Sequence, residues 1–155
     1  IVIGIVISSL VFDGVCFGLG RLVSSNHQQD AKTYTCPTDW IGYQEHCFIF
    51  SKEEKTWKES QNFCMSHNAS LAKITKEEMD FVKMHTRDHV FWIYLIKEPN
   101  QPWKWQDGEN ATLKVLGDGG DRAYLNDDGT ASSGRSTTEH RFICKKKIYE
   151  IPKCL

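Results

Sequence analysis

The sequence predicts one α+β domain, and three observations support that fold class. The chain has 155 residues, which is enough for one domain with a short appendage. Two capping-box patterns, Thr56 with Glu59 and Thr75 with Glu78, each predict the start of a helix. Short runs rich in aromatic and β-branched residues follow these helices and predict strands. Because the helices come first and the strands follow, an α+β domain is favoured.

The remaining elements can be placed in chain order. The run FIF predicts a short first strand that ends at Ser51, and the two capped helices come next. Residues 89–96 predict a buried strand, and the runs RAYLN and HRFICKKK predict the last two strands. Residues 97–121 form a long connection in which only the run WKW is expected to be ordered. A connection of this length in a small domain is usually functional.

The start of the chain is apolar and predicts a membrane anchor. About 20 apolar residues are enough to cross a bilayer as a helix, and Asp13 near the middle of this stretch is read as a protein-facing or end-of-span charge. The chain begins with Ile rather than Met, so we expect a cytoplasmic segment before it. A cleaved signal peptide is the alternative, and it fits less well because no small-x-small cleavage site is present. The predicted organisation is an anchor at 1–23, a stalk at 24–35, the folded domain at 36–147 and a tail at 148–155.

Cysteines and glycosylation sequons indicate an extracellular domain. The sequence has six cysteines and no C-x-x-C pair, which disfavours a zinc ribbon or a thioredoxin-like site. Cys16 lies in the apolar stretch, and Cys154 lies near the end of the chain without an assigned partner. Spacing alone does not settle how the other four pair. Two N-x-S/T sequons predict N-glycosylation at Asn68 and Asn110, which fits a compartment where disulfides persist.

Several classes of function are disfavoured by the residues themselves. The net charge is −1 and no basic stripe accompanies the tryptophans, so we expect no nucleic-acid partner. No histidine is placed by a recognisable motif beside a Ser or Cys nucleophile, so we expect no enzyme activity, no catalytic residue and no cofactor. Asp118, Asp121, Asp127 and Asp128 are expected to form a solvated loop face rather than a metal site.

Five runs of residues resemble a known family. These runs are CPTDWIGYQEHCFIFS, FWIYL, PWKWQDG, AYLNDDG and RFICKKK, and together they span residues 36–147. The domain they form resembles the C-type lectin-like domain, with two helices, short antiparallel sheets and a long loop. DWIGYQ, FSKEE and AYLNDDG are similar to C-type lectin domain family two in the natural-killer-cell group. That branch includes the early-activation antigen of lymphocytes and ligands of killer-cell lectin-like receptors of subfamily B.

The resemblance implies a disulfide framework and a set of core tryptophans. The implied pairs are Cys36 with Cys47 and Cys64 with Cys144. The family usually has a third bridge, and its two positions here hold Arg122 and Ser136, so we expect a more mobile loop edge. Tyr94 stands where the family usually has Gly, so its ring must pack outward or displace a neighbour. The implied core tryptophans are Trp40, Trp57, Trp92 and Trp105.

Calcium-dependent sugar binding is disfavoured by the order of the motifs. Calcium-dependent lectins carry Glu-Pro-Asn after the WKW-like strand, whereas Glu98-Pro99-Asn100 precedes Trp103 here. The place of the family's second calcium motif is taken by Ala131-Ser132-Ser133, which has no carboxylate. Calcium needs six to eight oxygen ligands. We therefore expect no metal site and interpret Glu98-Pro99-Asn100 as a turn.

The resemblance implies a protein ligand at the plasma membrane. We predict a single-pass type II glycoprotein with an extracellular domain, a homodimer, that binds a killer-cell lectin-like receptor of subfamily B on an opposing cell. Arg and Tyr are favoured anchors of protein interfaces. The alternatives are a leukocyte signalling receptor of the same family and a calcium-dependent lectin. The predicted contact residues are Tyr124, Asn126, Asp128, Arg135, Glu139, His140 and Arg141.

Overall fold

The computed structural model describes residues 34–150, and residues 35–149 form one compact unit. No helix in this part of the chain is long and apolar enough to cross a membrane, and the predicted anchor at 1–23 lies outside the described residues. The described elements are β1 (Tyr34–Thr35), β2 (Ile41–Tyr43), β3 (His46–Phe50), α1 (Trp57–Ser66), β4 (Ser70–Leu71), α2 (Met79–His85), β5 (Phe91–Ile96), β6 (Val115–Leu116), β7 (Arg122–Leu125), β8 (Ala131–Gly134), β9 (Arg141–Lys147) and β10 (Tyr149–Glu150).

Strand β9 is the centre of an eight-stranded sheet. The strands follow the order β2-β3-β9-β5-β7-β8-β6, β4 also pairs with β9, and β1 and β10 form a separate two-stranded sheet. The predicted antiparallel arrangement is wrong at two places, because β5 pairs with β9 and β6 pairs with β8 in parallel. Residues 97–140 carry the chain from β5 back to the start of β9. A connection of that length allows two neighbouring strands to run in the same direction.

Helix α1 begins where its capping box predicts. The Thr56 hydroxyl accepts a hydrogen bond from the Glu59 amide, and the Glu59 carboxylate accepts one from the Thr56 amide, both at 3.2 Å. Trp57 and Cys64 lie on its buried face. The Cys64–Cys144 disulfide joins this helix to β9 across a sequence separation of 80 residues. The Cys36–Cys47 disulfide closes a much shorter loop before β3, with a separation of 11 residues.

Helix α2 begins later than its sequence pattern predicts. Thr75 and Glu78 do exchange both capping-box hydrogen bonds, at 3.0 and 3.3 Å, but residues 76–78 form a turn and the helix starts at Met79. Glu78 is only 3% exposed and meets the Lys145 ammonium of β9 at 2.8 Å. This buried ion pair fixes Glu78 ahead of the helix, and no local sequence pattern reveals a partner 67 residues away.

The core consists of two clusters on the two faces of the sheet region. Phe48, Trp105 and the inner residues of β5 and β7 belong to the larger cluster. Trp57 and Trp92 belong to the second, together with the Cys64–Cys144 disulfide. Three of the four tryptophans expected in the core are therefore buried. Trp40 is only partly buried: it packs against the second cluster, and its ring lies under the Lys146 ammonium at 4.3 Å.

The WKW run is held by a hairpin-like turn. Lys104 pairs with Ile96 of β5, which attaches the run to the main sheet. Lys73 binds the carboxylates of Asp107 and Glu109, each at 2.5 Å, at the tip of the turn. The two hydrogen-bonded carboxylates raise the pKa of Lys73, and the Lys73 ammonium lowers the pKa of Asp107. The WKW run is therefore attached to β5 through Lys104, and the turn after it is attached to Lys73 by two ion pairs.

Candidate binding face

Three aromatic side chains meet where β5, β7 and β9 come together. Trp92 on β5 lies opposite Tyr124 on β7, and their ring centroids are 5.7 Å apart in edge-to-face geometry. The His140 ring lies 4.7 Å from Trp92 and 4.6 Å from Tyr124. Trp92 is fully buried, whereas Tyr124 and His140 are half-buried. The cluster therefore has a rigid floor and a partly exposed upper surface, an arrangement that suits aromatic anchors of an interface.

His140 is held in place by backbone pairing just before β9. Its amide donates to the Lys55 carbonyl at 3.0 Å, and its carbonyl accepts from the Lys55 amide at 2.9 Å. The Trp92 indole N–H donates to the same Lys55 carbonyl at 3.0 Å. Burial lowers the pKa of His140, and the nearby Glu54 carboxylate partly opposes that shift. At neutral pH the face therefore presents a neutral imidazole.

A shallow cleft of about 370 Å³ lies next to the aromatic cluster. His140 and Arg141 form one part of its wall, and Asn126 forms another. Three carboxylates also line it, contributed by Glu54, Asp88 and Asp127, which come from separate segments of the chain. With one arginine against three carboxylates, the lining is net acidic when its histidines are neutral. Such a cleft suits a cationic group on a binding partner.

The turn after β7 uses its polar side chains internally. The Asn126 amide nitrogen donates to the hydroxyls of Thr130 and Ser132, at 3.1 and 2.8 Å. One Asp128 carboxylate oxygen accepts from the Thr130 amide and hydroxyl, at 2.9 and 2.6 Å. These hydrogen bonds lower the pKa of the Asp128 carboxyl. The turn is therefore rigid, and both side chains keep further acceptor capacity toward solvent.

The seven predicted contact residues are only partly brought together. Tyr124 and His140 touch each other, and Asn126, His140 and Arg141 line one cleft. Asp128, Arg135 and Glu139 are exposed beyond the cleft lining. Glu54 and Asp88 also line that cleft and were not predicted from the sequence. They lie far from the motifs that mark the face, and only the pairing of Lys55 with His140 brings Glu54 there.

Comparison with known proteins identifies the family. The Lectin C-type domain model matches residues 53–146. The human protein named C-type lectin domain family 2 member D is 38% identical over 143 residues, covering 89% of this chain and 74% of the relative. The human member B is 41% identical over 117 residues, covering 74% of this chain and 77% of the relative. This chain belongs to C-type lectin domain family 2. The human early activation antigen CD69 is also similar, at 33% identity over 76% of this chain and 59% of the relative.

Solved structures share the family fold. The carbohydrate-recognition domain of the mouse scavenger receptor C-type lectin superposes with a TM-score of 0.68 at 28% identity, over 76% of this chain and all of that one. A calcium-independent type II antifreeze protein superposes with a TM-score of 0.66 at 19% identity, over 80% of this chain and all of that one. The second likeness concerns the fold alone.

In this family 2 member, the residues of the suspected calcium motifs have structural roles. The Gln101 amide donates to the Glu98 carbonyl at 3.1 Å, which closes a turn in which Asn100 has a φ of 60°. Residues 131–133 lie in β8, where Ala131 is fully buried. Among the residues that the structure describes, no three His, Cys, Asp or Glu side chains come together as metal ligands.

Both sequon asparagines of this family 2 member are exposed. Asn68 lies in the turn after α1 with a φ of 56°, and Asn110 follows the WKW turn. Ser70, the hydroxyl residue of the first sequon, pairs with Lys145 on β9. Lys145 lies four residues from Arg141, which corresponds to about 13 Å along a strand. Asn68 is therefore near the end of β9 that lies away from the aromatic cluster.

Proposed function

We propose that this chain is a cell-surface ligand for a killer-cell lectin-like receptor of subfamily B, and that it binds without calcium. The observation that carries the proposal is the half-exposed pair of Tyr124 and His140 over a buried Trp92, beside the net acidic cleft. Aromatic anchors surrounded by polar groups are typical of protein interfaces. The role is binding between opposed cells and involves no chemical reaction.

The remaining features belong to the same proposal. The chain is anchored as a single-pass type II protein of the plasma membrane through residues 1–23, with the domain at 36–147 outside the cell. Asn68 and Asn110 carry glycans, and the protein acts as a homodimer. The name of one relative, early activation antigen, supports an immune role. The position of Asn68, away from the aromatic cluster, leaves the face open when a glycan is attached.

Calcium independence is supported by the positions of the oxygen-bearing side chains. Residues 131–133 lie in β8 and carry no carboxylate. Residues 98–101 form a turn before the WKW run rather than after it. A sugar site of the calcium-dependent kind needs several free carboxylate and carbonyl oxygens around one ion. The acidic cleft is better suited to an Arg or Lys side chain from a protein partner.

The proposal is tested by receptor staining of cells that display the full chain. Soluble tetramers of single subfamily-B receptors are applied in calcium and in EGTA. We expect one receptor to stain the cells equally in both buffers. Staining should fall about tenfold or more for Tyr124→Ala and for Arg141→Ala, the range of interface hot spots. Tyr124→Phe is the matched control, since it keeps the ring of the cluster.

Two results would contradict the proposal. If no subfamily-B receptor stains the cells, the ligand role is wrong. If the chain instead captures glycans in a manner abolished by EGTA and by free sugar, it is a calcium-dependent lectin. The likeness to a carbohydrate-recognition domain makes the glycan arm a necessary part of the experiment.

A further inference from the structure

Arg122 and Tyr94 hold the ring of Trp57, whose backbone is bonded to the segment that carries much of the binding face. We propose that Arg122 and Tyr94 are positioning residues for this face. They act through Trp57 on residues 135–141, and neither needs to touch a partner. The inference deepens the proposed function and rests on it for its effect on binding, whereas its structural part is independent of any partner.

The segment before β9 is tied to the segment before α1 at two points. The Trp57 amide donates to the Ser136 carbonyl at 3.2 Å. Lys55 and His140 exchange two backbone hydrogen bonds at 2.9 and 3.0 Å. Residues 55–57 therefore form the support on which residues 136–140 lie. A movement of the Trp57 backbone therefore shifts Ser136 and changes the path of the chain that leads to His140.

The Trp57 ring fixes this support. Trp57 is 5% exposed, and its indole N–H donates to the Ile93 carbonyl of β5 at 3.0 Å. The Arg122 guanidinium carbon lies 4.6 Å from the Trp57 ring centroid, in cation–π geometry. The Tyr94 ring meets Trp57 edge-to-face at 5.3 Å. Two strands of the sheet, β5 and β7, thus hold one indole ring at the start of α1.

The stack on Trp57 is the main side-chain role of Arg122. One guanidinium nitrogen donates to the Asp121 carbonyl at 3.1 Å, and the Asp121 carboxylate lies 3.4 Å away. The Nε–H is buried without an acceptor among the described residues. A buried unpaired N–H destabilises the fold. Replacing Arg122 therefore removes a stabilising stack and an unsatisfied donor together, so we expect the domain to stay folded.

The three positions where the sequence departs from the family resemblance all lead to Trp57. Tyr94 stands in place of Gly and contacts Trp57, and Arg122 and Ser136 stand in place of the third bridge. The absence of the third bridge led us to expect a more mobile loop edge. That expectation did not include the contact of Arg122 with Trp57. Here a stacked cation and a hydrogen bond connect the same two segments without a covalent bond. The tie therefore persists under reducing conditions that would open a disulfide.

The test measures amide hydrogen exchange of the purified full chain by mass spectrometry. For Arg122→Gln we expect residues 135–140 to exchange about three- to tenfold faster, as loss of a partly buried cation–π contact predicts. Amides of β3 and α2 should be unchanged. Arg122→Lys keeps the cation without the planar stack, so it should restore part of the protection. Lys58→Gln is the matched control, because it removes one exposed positive charge next to Trp57.

Receptor dissociation completes the test. We expect the dissociation rate of the receptor identified above to rise by a similar factor for Arg122→Gln and to recover partly for Arg122→Lys. Unchanged exchange at 135–140, or an equal rise for Lys58→Gln, would overturn the inference. Faster exchange without any change in receptor dissociation would overturn the positioning role and leave the proposed function standing. If no receptor binds the wild-type chain, the proposed function fails, and the exchange result still decides whether the tie exists.

Discussion

The middle of strand β9 and its beginning are built differently. In the middle, Cys144 is bonded to Cys64 and Lys145 is paired with Glu78 at 2.8 Å, with both charged side chains mostly buried. At the beginning, Arg141 is half-buried and lines an open cleft, next to the half-buried ring of His140. The two regions are only about 13 Å apart.

This difference separates the residues that stabilise the fold from those of the candidate binding face along one strand. In the middle of β9, Cys144 and Lys145 already have partners, and Lys145 also donates to the Lys73 carbonyl at 2.9 Å. Such groups have little left to offer a binding partner. At the beginning of β9, the half-buried Arg141 and His140 side chains leave aromatic surface and charge available. Four predictions test this separation.

The largest expected effect is the loss of the long-range disulfide. Replacing both Cys64 and Cys144 by Ala should lower the free energy of unfolding by about 4 kcal/mol, because the bridge closes a long loop in the unfolded chain. The equivalent change at Cys36 and Cys47 should cost about 3 kcal/mol, since its loop is much shorter. Urea unfolding of both variants gives the comparison. Equal losses would show that loop length does not decide the difference.

The buried ion pair comes next. Lys145→Met should lower the free energy of unfolding by about 3 kcal/mol, because it leaves the Glu78 carboxylate buried without its cation. The double variant Lys145→Met with Glu78→Gln should recover part of that loss. Receptor staining of displayed Lys145→Met should persist wherever the variant remains folded. A double variant no more stable than the single one would assign the loss to packing rather than to charge.

A glycine contact at the edge of the face has a smaller effect. A Cβ atom on Gly120 would overlap the Gly134 carbonyl and crowd the Arg135 amide. Gly120→Ala should therefore lower the free energy of unfolding by about 1–3 kcal/mol and speed amide exchange in β7 and β8. At Gly119 a Cβ would lie 3.4 Å from the nearest atom, so Gly119→Ala is the control. Equal effects at the two positions would contradict the close-approach explanation.

The smallest effect is a pH dependence at His140. Because burial lowers its folded pKa below the ordinary value, the unfolded chain binds the proton more readily. The contribution of His140 is complete above about pH 6.5 and is lost as the pH falls through the lowered pKa. His140→Phe keeps a ring over Trp92 and removes the titration. Thermal unfolding from pH 7.5 to 5 should show a weaker pH dependence in the variant; identical pH profiles would contradict this.

The parts of the fold that local chemistry determines were predictable. The capping box of Thr56 and Glu59 predicted the start of α1, and the structure confirms it. The run before Ser51 and the runs at β5, β7 and β9 were also identified as strands. Strand β8 was missed, because its residues Ala-Ser-Ser-Gly have little strand character. It forms because β7 pairs with it and buries Ala131.

What the sequence could not reveal depends on distant partners. The parallel pairing of β5 with β9 follows from the path of residues 97–140 and from no local pattern. The motifs named Tyr124, His140 and Arg141, and the structure places Tyr124 against His140 and His140 beside Arg141 in the cleft lining. Glu54 and Asp88 join that face only through tertiary structure. Tyr94 stands out in the sequence as an unusual residue at its position. Its contact with Trp57 is visible only in the folded structure.

The central position of β9 in the sheet also affects the order in which the strands can pair during synthesis of the chain. Strands β3, β4 and β5 all pair with β9, which lies at residues 141–147. A ribosome delivers these three strands long before their common neighbour. Until then their edges are unpaired, and such edges invite pairing with other chains. A nascent chain that has not yet reached residue 141 therefore leaves the β9-facing edges of β3, β4 and β5 unpaired.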